Sequence, residues 1–454
     1  MGYNCSVMKI TVKNFGPIRE AKDIRISPLT LFVGPSNTGK SYLAIVICAA
    51  VEAISSNAEF RRSLRKFPDI DEASVDSVLQ ELQPKWLECM RQEWENNILY
   101  YLGEEGTRAV NFQDMSVVLS SDDGNVVVDL NKSNSSEIKE LFDLTKSGAS
   151  LLYDTEKSES KMGNRIKARN RSYLGRVFRR SFSQALWSEC SFDFYLLPAV
   201  RGAIMQSYRA ITSKALEELS ISGGKKGSPM ISGVLGEFTQ KMTDISEMEY
   251  GGEEIKAINE VLESNILHGK INVRFPETGL PEFRYAMKGK KDDMAINNVS
   301  ASVAELSSLS VFMRYYLCEE DLLVFEEPET NLHPKAQQDI ADIMVRLANA
   351  GVFVLATTHS TVVLEQISNA FRASQFNDAD EGRELLGKDQ EPLGQKLAVY
   401  SFRKKSGDIS GKPDTMVTKT DFNSTTGILT EDHMDVSREL YDQTVNLVNG
   451  QNDE

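Results

Sequence analysis

The sequence predicts an α/β protein in which a mixed sheet is flanked by helices. Three short apolar runs, at 29–33, 322–325 and 352–356, have the length and composition of strands that are buried on both faces. An apolar helical pattern follows the first run, and another at 335–348 separates the last two, as a crossover helix between parallel strands does. Glycine, acidic or histidine residues follow these runs, which indicates that one sheet edge carries the functional groups.

Composition indicates a cytoplasmic protein of two or three domains. The 454 residues include 51 basic and 66 acidic side chains, a net charge of −15, so the chain is not a general nucleic-acid coat. Five cysteines, an odd number without metal or redox spacing, favour free thiols in a reducing cytosol. No apolar run approaches the roughly 20 residues of a membrane span, so membrane attachment would need a partner.

The pattern along the chain predicts an interrupted principal domain. Residues 1–56 and 191–420 would form it, with a largely helical insertion at 57–190 and a tail at 421–454. The insertion would include a hairpin at 116–130, because two valine-rich runs flank turn-forming residues. We also predict helices at 41–54 and 303–319, paired strands at 270–275 and 282–287, and edge strands at 398–403 and 415–420.

Residues 34–41, Gly-Pro-Ser-Asn-Thr-Gly-Lys-Ser, match the complete P-loop pattern between a predicted strand and a predicted helix. Glycines let the backbone N–H groups face phosphates, and the helix dipole adds to their attraction. Lys40 would reach the β- and γ-phosphates of ATP, and the Ser41 hydroxyl would be a ligand of Mg²⁺. The candidate nucleotide-binding residues are Gly34, Asn37, Thr38, Gly39, Lys40 and Ser41.

The apolar run at 322–325 ends in two acidic residues, Glu326 and Glu327. A strand that ends in this way delivers carboxylates to the edge of a sheet. We predict that Glu326 acts on the metal side and that Glu327 polarises the attacking water. Most such sites have Asp at the first position, so the longer side chain of Glu326 changes the geometry available to the metal.

His359 follows the apolar run at 352–356 in the sequence Thr-Thr-His-Ser. One crossover separates its strand from the acidic strand, so both strands should end at the same sheet edge. We predict that His359 lies beside the γ-phosphate, where it would sense the phosphate and position water.

These elements, in this order, resemble the ABC-type ATPases of the SMC, RecF and OLD-like group. The similarity lies in four sequence motifs: KNFGPI at 13–18, GPSNTGKS at 34–41, FEEPETNLHP at 325–334 and TTHS at 357–360. The sequence is most similar to the short ATPases of antiphage defence, the PtuA type of Septu and the AriA type of PARIS. This resemblance implies an ABC-type P-loop ATPase head that uses ATP and Mg²⁺.

The resemblance also implies that two copies sandwich ATP in a homodimer or larger homo-oligomer. Residues 329–334 correspond to the D-loop, which crosses to the opposing protomer. Ser300 best fits the signature serine that contacts the other protomer's nucleotide, and Ser302 stands where the family usually has glycine. Ser302 with Glu305 also fits a capping box for the following helix. Arg201 resembles a recurrent arginine of the group, and both a phosphate-side role and a surface ion pair remain open.

A basic stretch at 161–180 contains eight Lys and Arg residues and no acid, in contrast to the acidic chain as a whole. Aromatic residues lie among these bases. Binding to a nucleic-acid backbone and docking of an acidic protein surface are both consistent with this pattern.

Three functions remain open from the sequence. The first is an ATPase that is the sensor or regulatory subunit of an antiphage complex with a separate effector. The second is a RecF-like DNA-repair ATPase, and the third is an ATP-bound scaffold with little hydrolysis. None of the four histidines lies in a recognisable nuclease pattern. We therefore expect the effector to be a separate nuclease of the HNH or TOPRIM type.

Overall fold

A computed structural model describes twelve parts of the chain. They are residues 9–56, 89, 91–103, 116–120, 127–129, 193–221, 233–277, 280–387, 390–404, 414–425, 427–428 and 438–447. The basic stretch at 161–180 and most of the predicted insertion lie outside these residues.

The described strands form a ten-stranded sheet and a three-stranded sheet. The strands are β1 Lys9–Phe15, β2 Ile18–Arg25, β3 Leu29–Val33, β4 Ser116–Ser120, β5 Val127–Asp129, β6 Phe194–Leu197, β7 Gly269–Arg274, β8 Glu282–Met287, β9 Met294–Ala295, β10 Leu322–Glu326, β11 Phe353–Thr358, β12 Leu397–Lys404 and β13 Thr415–Lys419. The helices used below are α1 Lys40–Ser56, α2 Arg201–Ile221, α3 Gly233–Thr243, α4 Glu253–Leu262, α5 Ala301–Tyr315, α6 Pro334–Asn349, α7 Thr361–Ala373 and α8 Ala379–Leu386.

The larger sheet has the order β5-β4-β1-β2-β13-β12-β3-β11-β10-β6. Its strands β12, β3, β11, β10 and β6 run parallel, whereas β1 pairs antiparallel with both β2 and β4. Glu326 pairs with Thr357, and Thr358 pairs with Val33, so β10, β11 and β3 end together. This confirms the predicted mixed sheet and places the carboxyl ends of the three predicted strands side by side.

Two apolar cores cover the two faces of this sheet. On one face lies α1, whose buried residues pack with Trp94 and Ile98 of the helical segment 91–103. Trp94 Nε1 also donates to Val46 O of α1 at 3.1 Å. On the other face, α5, α6 and α7 pack against the apolar side chains of β3, β10 and β11. Strands buried on both faces explain the continuous apolar runs of the sequence.

Two details of the fold differ from the prediction. The strands at 398–403 and 415–420 were expected at a sheet edge, but β12 and β13 fill the interior between β3 and β2. The hairpin at 116–130 is confirmed as an antiparallel pair, yet β4 also pairs with β1 of the principal sheet. The hairpin and segment 91–103 therefore share the core of α1, although the sequence placed both in a separate insertion.

The smaller sheet confirms the predicted pairing of 270–275 with 282–287, because β7 and β8 pair antiparallel. The predicted crossover helix is also confirmed, as α6 at Pro334–Asn349 between β10 and β11. Among the described residues, no helix combines the length and apolar character that crossing a membrane requires.

Candidate functional site

Residues 34–39 form the loop between β3 and α1, and Lys40 and Ser41 are the first residues of α1. Gly34, Asn37 and Gly39 have φ values of +148°, +60° and +94°, in the region that side chains other than glycine rarely adopt. A Cβ on Gly34 would lie 2.4 Å from the carbonyl oxygen of Phe402, so only glycine fits there. A loop of this shape at the start of a helix directs backbone N–H groups toward a phosphate.

The side chain of Lys40 lies buried in this loop. Its Nζ donates to Gly34 O at 2.8 Å and to Pro35 O at 2.7 Å. Thr38 Oγ1 also donates to Pro35 O, at 2.8 Å, and so stabilises the curl of the loop. Burial lowers the pKa of Lys40, and the negative charges of nearby carboxylates oppose that shift. Phosphate oxygens would replace the loop carbonyls as acceptors for this ammonium.

Ser41 and Glu326 lie together where β10 ends. The Ser41 side chain hydrogen-bonds the buried Glu326 carboxylate, which also bonds the backbone of Ala199. Burial raises the pKa of Glu326, and these hydrogen bonds oppose the shift. A hydroxyl and a carboxylate are hard oxygen ligands, and Mg²⁺ in nucleotide sites takes few protein ligands besides phosphates and water. This pair therefore fits the metal of MgATP.

Within the described residues, no group of three or more His, Cys, Asp or Glu side chains could hold a metal ion. The pair of Ser41 and Glu326 is a site of a different kind, because ATP phosphates would supply further metal ligands.

Glu327 follows β10 in a left-handed conformation, with φ of +42°. Its N–H donates to Thr357 O at 2.9 Å, which ties the turn to β11. Its Oε2 accepts from Thr330 Oγ1 at 3.4 Å, and its side chain is 33% exposed. This carboxylate is thus held by its backbone and remains open to water, as a group that polarises the attacking water must be.

His359 follows β11 directly, at the same edge of the sheet. Its Nδ1 lies 4.0 Å from Glu327 Oε1 and 3.5 Å from Glu329 Oε1, and its side chain is 48% exposed. Glu329 is buried, and its Oε1 also accepts from Thr358 Oγ1 at 2.8 Å and from His359 N at 2.9 Å. Its Oε2 has no hydrogen-bond partner in the structure. Glu329 therefore holds the backbone at His359 and lies beside its imidazole.

The start of α5 corrects the predicted capping box. Ser300, not Ser302, is the N-cap, and its Oγ accepts from Val303 N at 3.4 Å. Ser302 Oγ instead donates to Asn331 O at 2.7 Å, and Glu305 is buried and engaged with other partners. The helix begins at Ala301, two residues earlier than predicted. Ser300 is exposed, so its position is compatible with contact to a second protomer.

Arg201 begins α2 and is completely buried, so the surface ion pair considered from the sequence is wrong. Its guanidinium binds backbone carbonyls and forms an ion pair with Glu305, at 3.4 Å between Nε and Oε2. Its Cζ lies 4.7 Å from the centre of the Phe325 ring. Burial lowers the pKa of Arg201 to about 10, with Glu305 opposing, so the side chain stays charged at neutral pH.

The structure thus brings Lys40, Ser41, Glu326, Glu327 and His359 to one edge of the sheet, whereas Arg201 lies beneath that edge. Sequence reasoning placed Glu329 and Asn331 in the D-loop stretch and Glu305 in a capping box, and it missed the contacts that these side chains make in the structure. A signal for Glu329 was present, because it continues the acidic run after the strand. Only the tertiary contacts reveal Glu305 and Asn331.

The family model described as AAA ATPase domain matches residues 201–364, which include the acidic strand and His359 but not the P-loop. No curated protein matches the chain.

Several solved structures of SMC head domains are similar, each at 11% identity. One is an SMC head bound to the C-winged helix domain of ScpA (TM-score 0.36, 92% of this chain, 99% of that one). Another is an SMC head from Pyrococcus furiosus with an extended coiled coil (0.32, 96% and 99%). A third is the SMC head from Thermotoga maritima (0.31, 92% and 100%).

The fold and the site together define a class. The class is that of the P-loop ATPases in fold: a mixed sheet flanked by helices carries a phosphate-binding loop after β3 and an acidic end on β10, and β11, which His359 follows, lies between these two strands.

Proposed function

We propose that this protein binds and hydrolyses MgATP and is an ABC-type sensor or regulatory subunit of an antiphage defence complex. One observation supports the ATPase part above the others. Lys40, the Ser41–Glu326 pair and the Glu327 carboxylate meet where three adjacent parallel strands end. Such an edge is where open α/β sheets bind ligands. The defence role is supported by the resemblance of the sequence motifs to those of the short ATPases of antiphage defence.

Each residue has a distinct task in this proposal. The P-loop and Lys40 bind the phosphates, and Ser41 with Glu326 holds the metal. Mg²⁺, when bound with ATP, would neutralise charge on the phosphates. Glu327 accepts a proton from the attacking water, and His359 beside it helps to position that water.

The scaffold hypothesis remains as a second candidate because Glu326 stands where such sites usually have Asp. Its side chain is buried and one carbon longer than that of Asp, which changes the geometry available to the metal. A chain of this kind could bind ATP tightly and turn it over slowly. Comparing ATP affinity with the rate of phosphate release separates the two candidates. For a RecF-like repair role, we would instead expect DNA to stimulate the ATPase rate.

We also propose that each complete site uses two protomers, with Ser300 of one protomer facing the nucleotide bound by the other. The exposed Ser300 at the start of α5 supports this arrangement, since a helix N-terminus attracts phosphate. Lys40→Ala and Ser300→Arg proteins should each be inactive. Mixed in equal amounts, they should recover part of the ATPase rate, because one site of each mixed dimer is wild type in both halves.

Size-exclusion analysis of differently tagged chains would verify that mixed dimers form in this experiment. A mixture that forms mixed dimers and recovers no activity would contradict shared sites. The matched control is a mixture in which both tagged chains are Lys40→Ala, because no protomer in it has an intact P-loop.

The effector should be a separate nuclease. We expect the purified chain to leave plasmid DNA and tRNA intact with Mg²⁺ or Mn²⁺, and to gain nuclease activity only with its effector. Cells that carry the complete system should resist phage, and Lys40→Ala in this chain should abolish that resistance. DNA or RNA cleavage that survives repurification and disappears with a point substitution in this chain would contradict a separate effector.

A further inference from the structure

Arg201 holds the backbone at the end of the acidic strand. Its Nη1 donates to Glu326 O at 2.7 Å and to Pro198 O at 3.1 Å, and its Nη2 donates to Glu327 O at 3.3 Å. The planar guanidinium offers several donors in a rigid arrangement, so one side chain can hold successive carbonyls. It thus joins the loop after β6 to the residues that carry both site carboxylates.

The backbone that Arg201 holds is one that needs support. Glu327 has φ of +42°, a left-handed conformation in which a residue with a Cβ is strained. Its N–H bonds to Thr357 O, and its C=O bonds to Arg201, so both sides of the residue are held. The direction of the Glu327 carboxylate follows from this conformation.

Glu305 extends the contact from Arg201 to two other parts of the site. Its Oε2 pairs with Arg201 Nε at 3.4 Å and accepts from Gly202 N at 3.1 Å. Its Oε1 accepts from Asn331 Nδ2 at 3.1 Å, and Asn331 O accepts from Ser302 Oγ at 2.7 Å. Glu305 therefore connects α2, the start of α5 and the loop that follows the acidic strand.

We propose that Arg201 and Glu305 are positioning residues that couple the Ser300 end of α5 and the Asn331 loop to the orientation of Glu327. This inference depends on the proposed role of Glu327 in hydrolysis. Because both charges are buried and share their bonds with several backbone groups, movement of one part displaces the others. A protomer that docks at Ser300 would thus align the carboxylate in the site of the chain it docks on.

The test removes both charges together. Arg201→Met with Glu305→Gln keeps the side-chain volumes similar, and replacing a buried ion pair as a whole is better tolerated than removing one partner. Arg201→Lys is a second variant, which keeps the charge near Glu305 but has three donors on one nitrogen, too few for the four backbone carbonyls that the guanidinium holds. The control, Arg284→Met with Asp293→Asn, removes a 2.7 Å pair in the smaller sheet.

We expect the double variant to bind ATP with unchanged affinity and KM, while kcat falls between roughly tenfold and a hundredfold. Amide hydrogens of residues 327–332 should exchange roughly tenfold faster, with α1 unchanged. Arg201→Lys should show the same pattern to a smaller extent, and the control should behave as wild type. If the double variant does not fold, Arg201→Lys alone decides by the same two measurements.

Hydrogen exchange tests the positioning of residues 327–332 whether or not the chain hydrolyses ATP. Unchanged exchange at 327–332 in folded variants would overturn the positioning role, and so would a loss of kcat matched by the loss of ATP affinity. If wild type and Glu327→Gln release phosphate at equal rates, the proposed role of Glu327 fails, whereas faster exchange at 327–332 would still support the coupling.

Discussion

Replacing Lys40 by alanine should weaken MgATP binding by roughly a hundredfold, or about 3 kcal/mol. The buried ammonium donates to two loop carbonyls in the structure and would donate to phosphate oxygens in the complex. Charge-assisted hydrogen bonds to phosphate are among the strongest that a side chain makes, and alanine replaces none of them. Isothermal titration with MgATP measures the loss directly.

Lys256→Ala is a suitable control for this experiment. Lys256 lies on α4 and pairs with Glu249 and Glu253. Its replacement by alanine removes the same charge from the protein without changing the P-loop. Its ATP affinity should equal that of wild type. Equal affinity of Lys40→Ala and wild type would contradict the nucleotide site itself.

Replacing Glu327 by glutamine should reduce phosphate release by roughly a hundredfold or more, because a positioned general base contributes factors of about 10² to 10⁴. Glutamine keeps the shape of the side chain and its place beside Thr330 and His359. ATP should therefore still bind. If hydrolysis reopens the dimer, the variant should also accumulate as an ATP-bound dimer in size-exclusion chromatography.

The matched control is Glu253→Gln, a substitution of the same kind at a side chain that is 96% exposed at the start of α4. It should hydrolyse ATP as wild type does. Phosphate release by Glu327→Gln at the wild-type rate would exclude Glu327 as the base, and the same result with a lower ATP affinity would assign it to binding.

The two experiments separate binding from chemistry. Lys40→Ala should lose both affinity and turnover, whereas Glu327→Gln should lose turnover alone. A chain that binds ATP through Lys40 and, as wild type, releases no phosphate above background would be the ATP-bound scaffold.

The sequence by itself was sufficient to predict the elements whose conformation is determined by the residues of one short segment. The P-loop at 34–41 is such a segment, because a strand, two glycines and a helix start lie within a few residues. The acidic strand end and the position of His359 could be predicted in the same way. Each follows a strand that is buried on both faces, and such a strand has a continuous apolar sequence. The convergence of these three segments then follows from the parallel crossover.

The tertiary structure alone decided the features that depend on partners distant in the sequence. Arg201 lies 104 residues from Glu305 and 125 from Glu326, and no local pattern distinguishes it from an arginine on the surface. Ser300 and Ser302 both suit a helix start, and the choice between them depends on the contact that Ser302 makes with Asn331. In each case the bond that decides the role joins elements that only the packed sheet and helices bring together.

The order of strands in the sheet has the same origin. The sequence predicts edge strands at 398–403 and 415–420 because both follow the last motif, yet β12 and β13 lie between β3 and β2. β4 joins β1 although more than a hundred residues separate them. Backbone hydrogen bonds pair any two strands of suitable geometry, so the sequence determined which segments are strands, and burial of the two apolar cores decided which strands are neighbours.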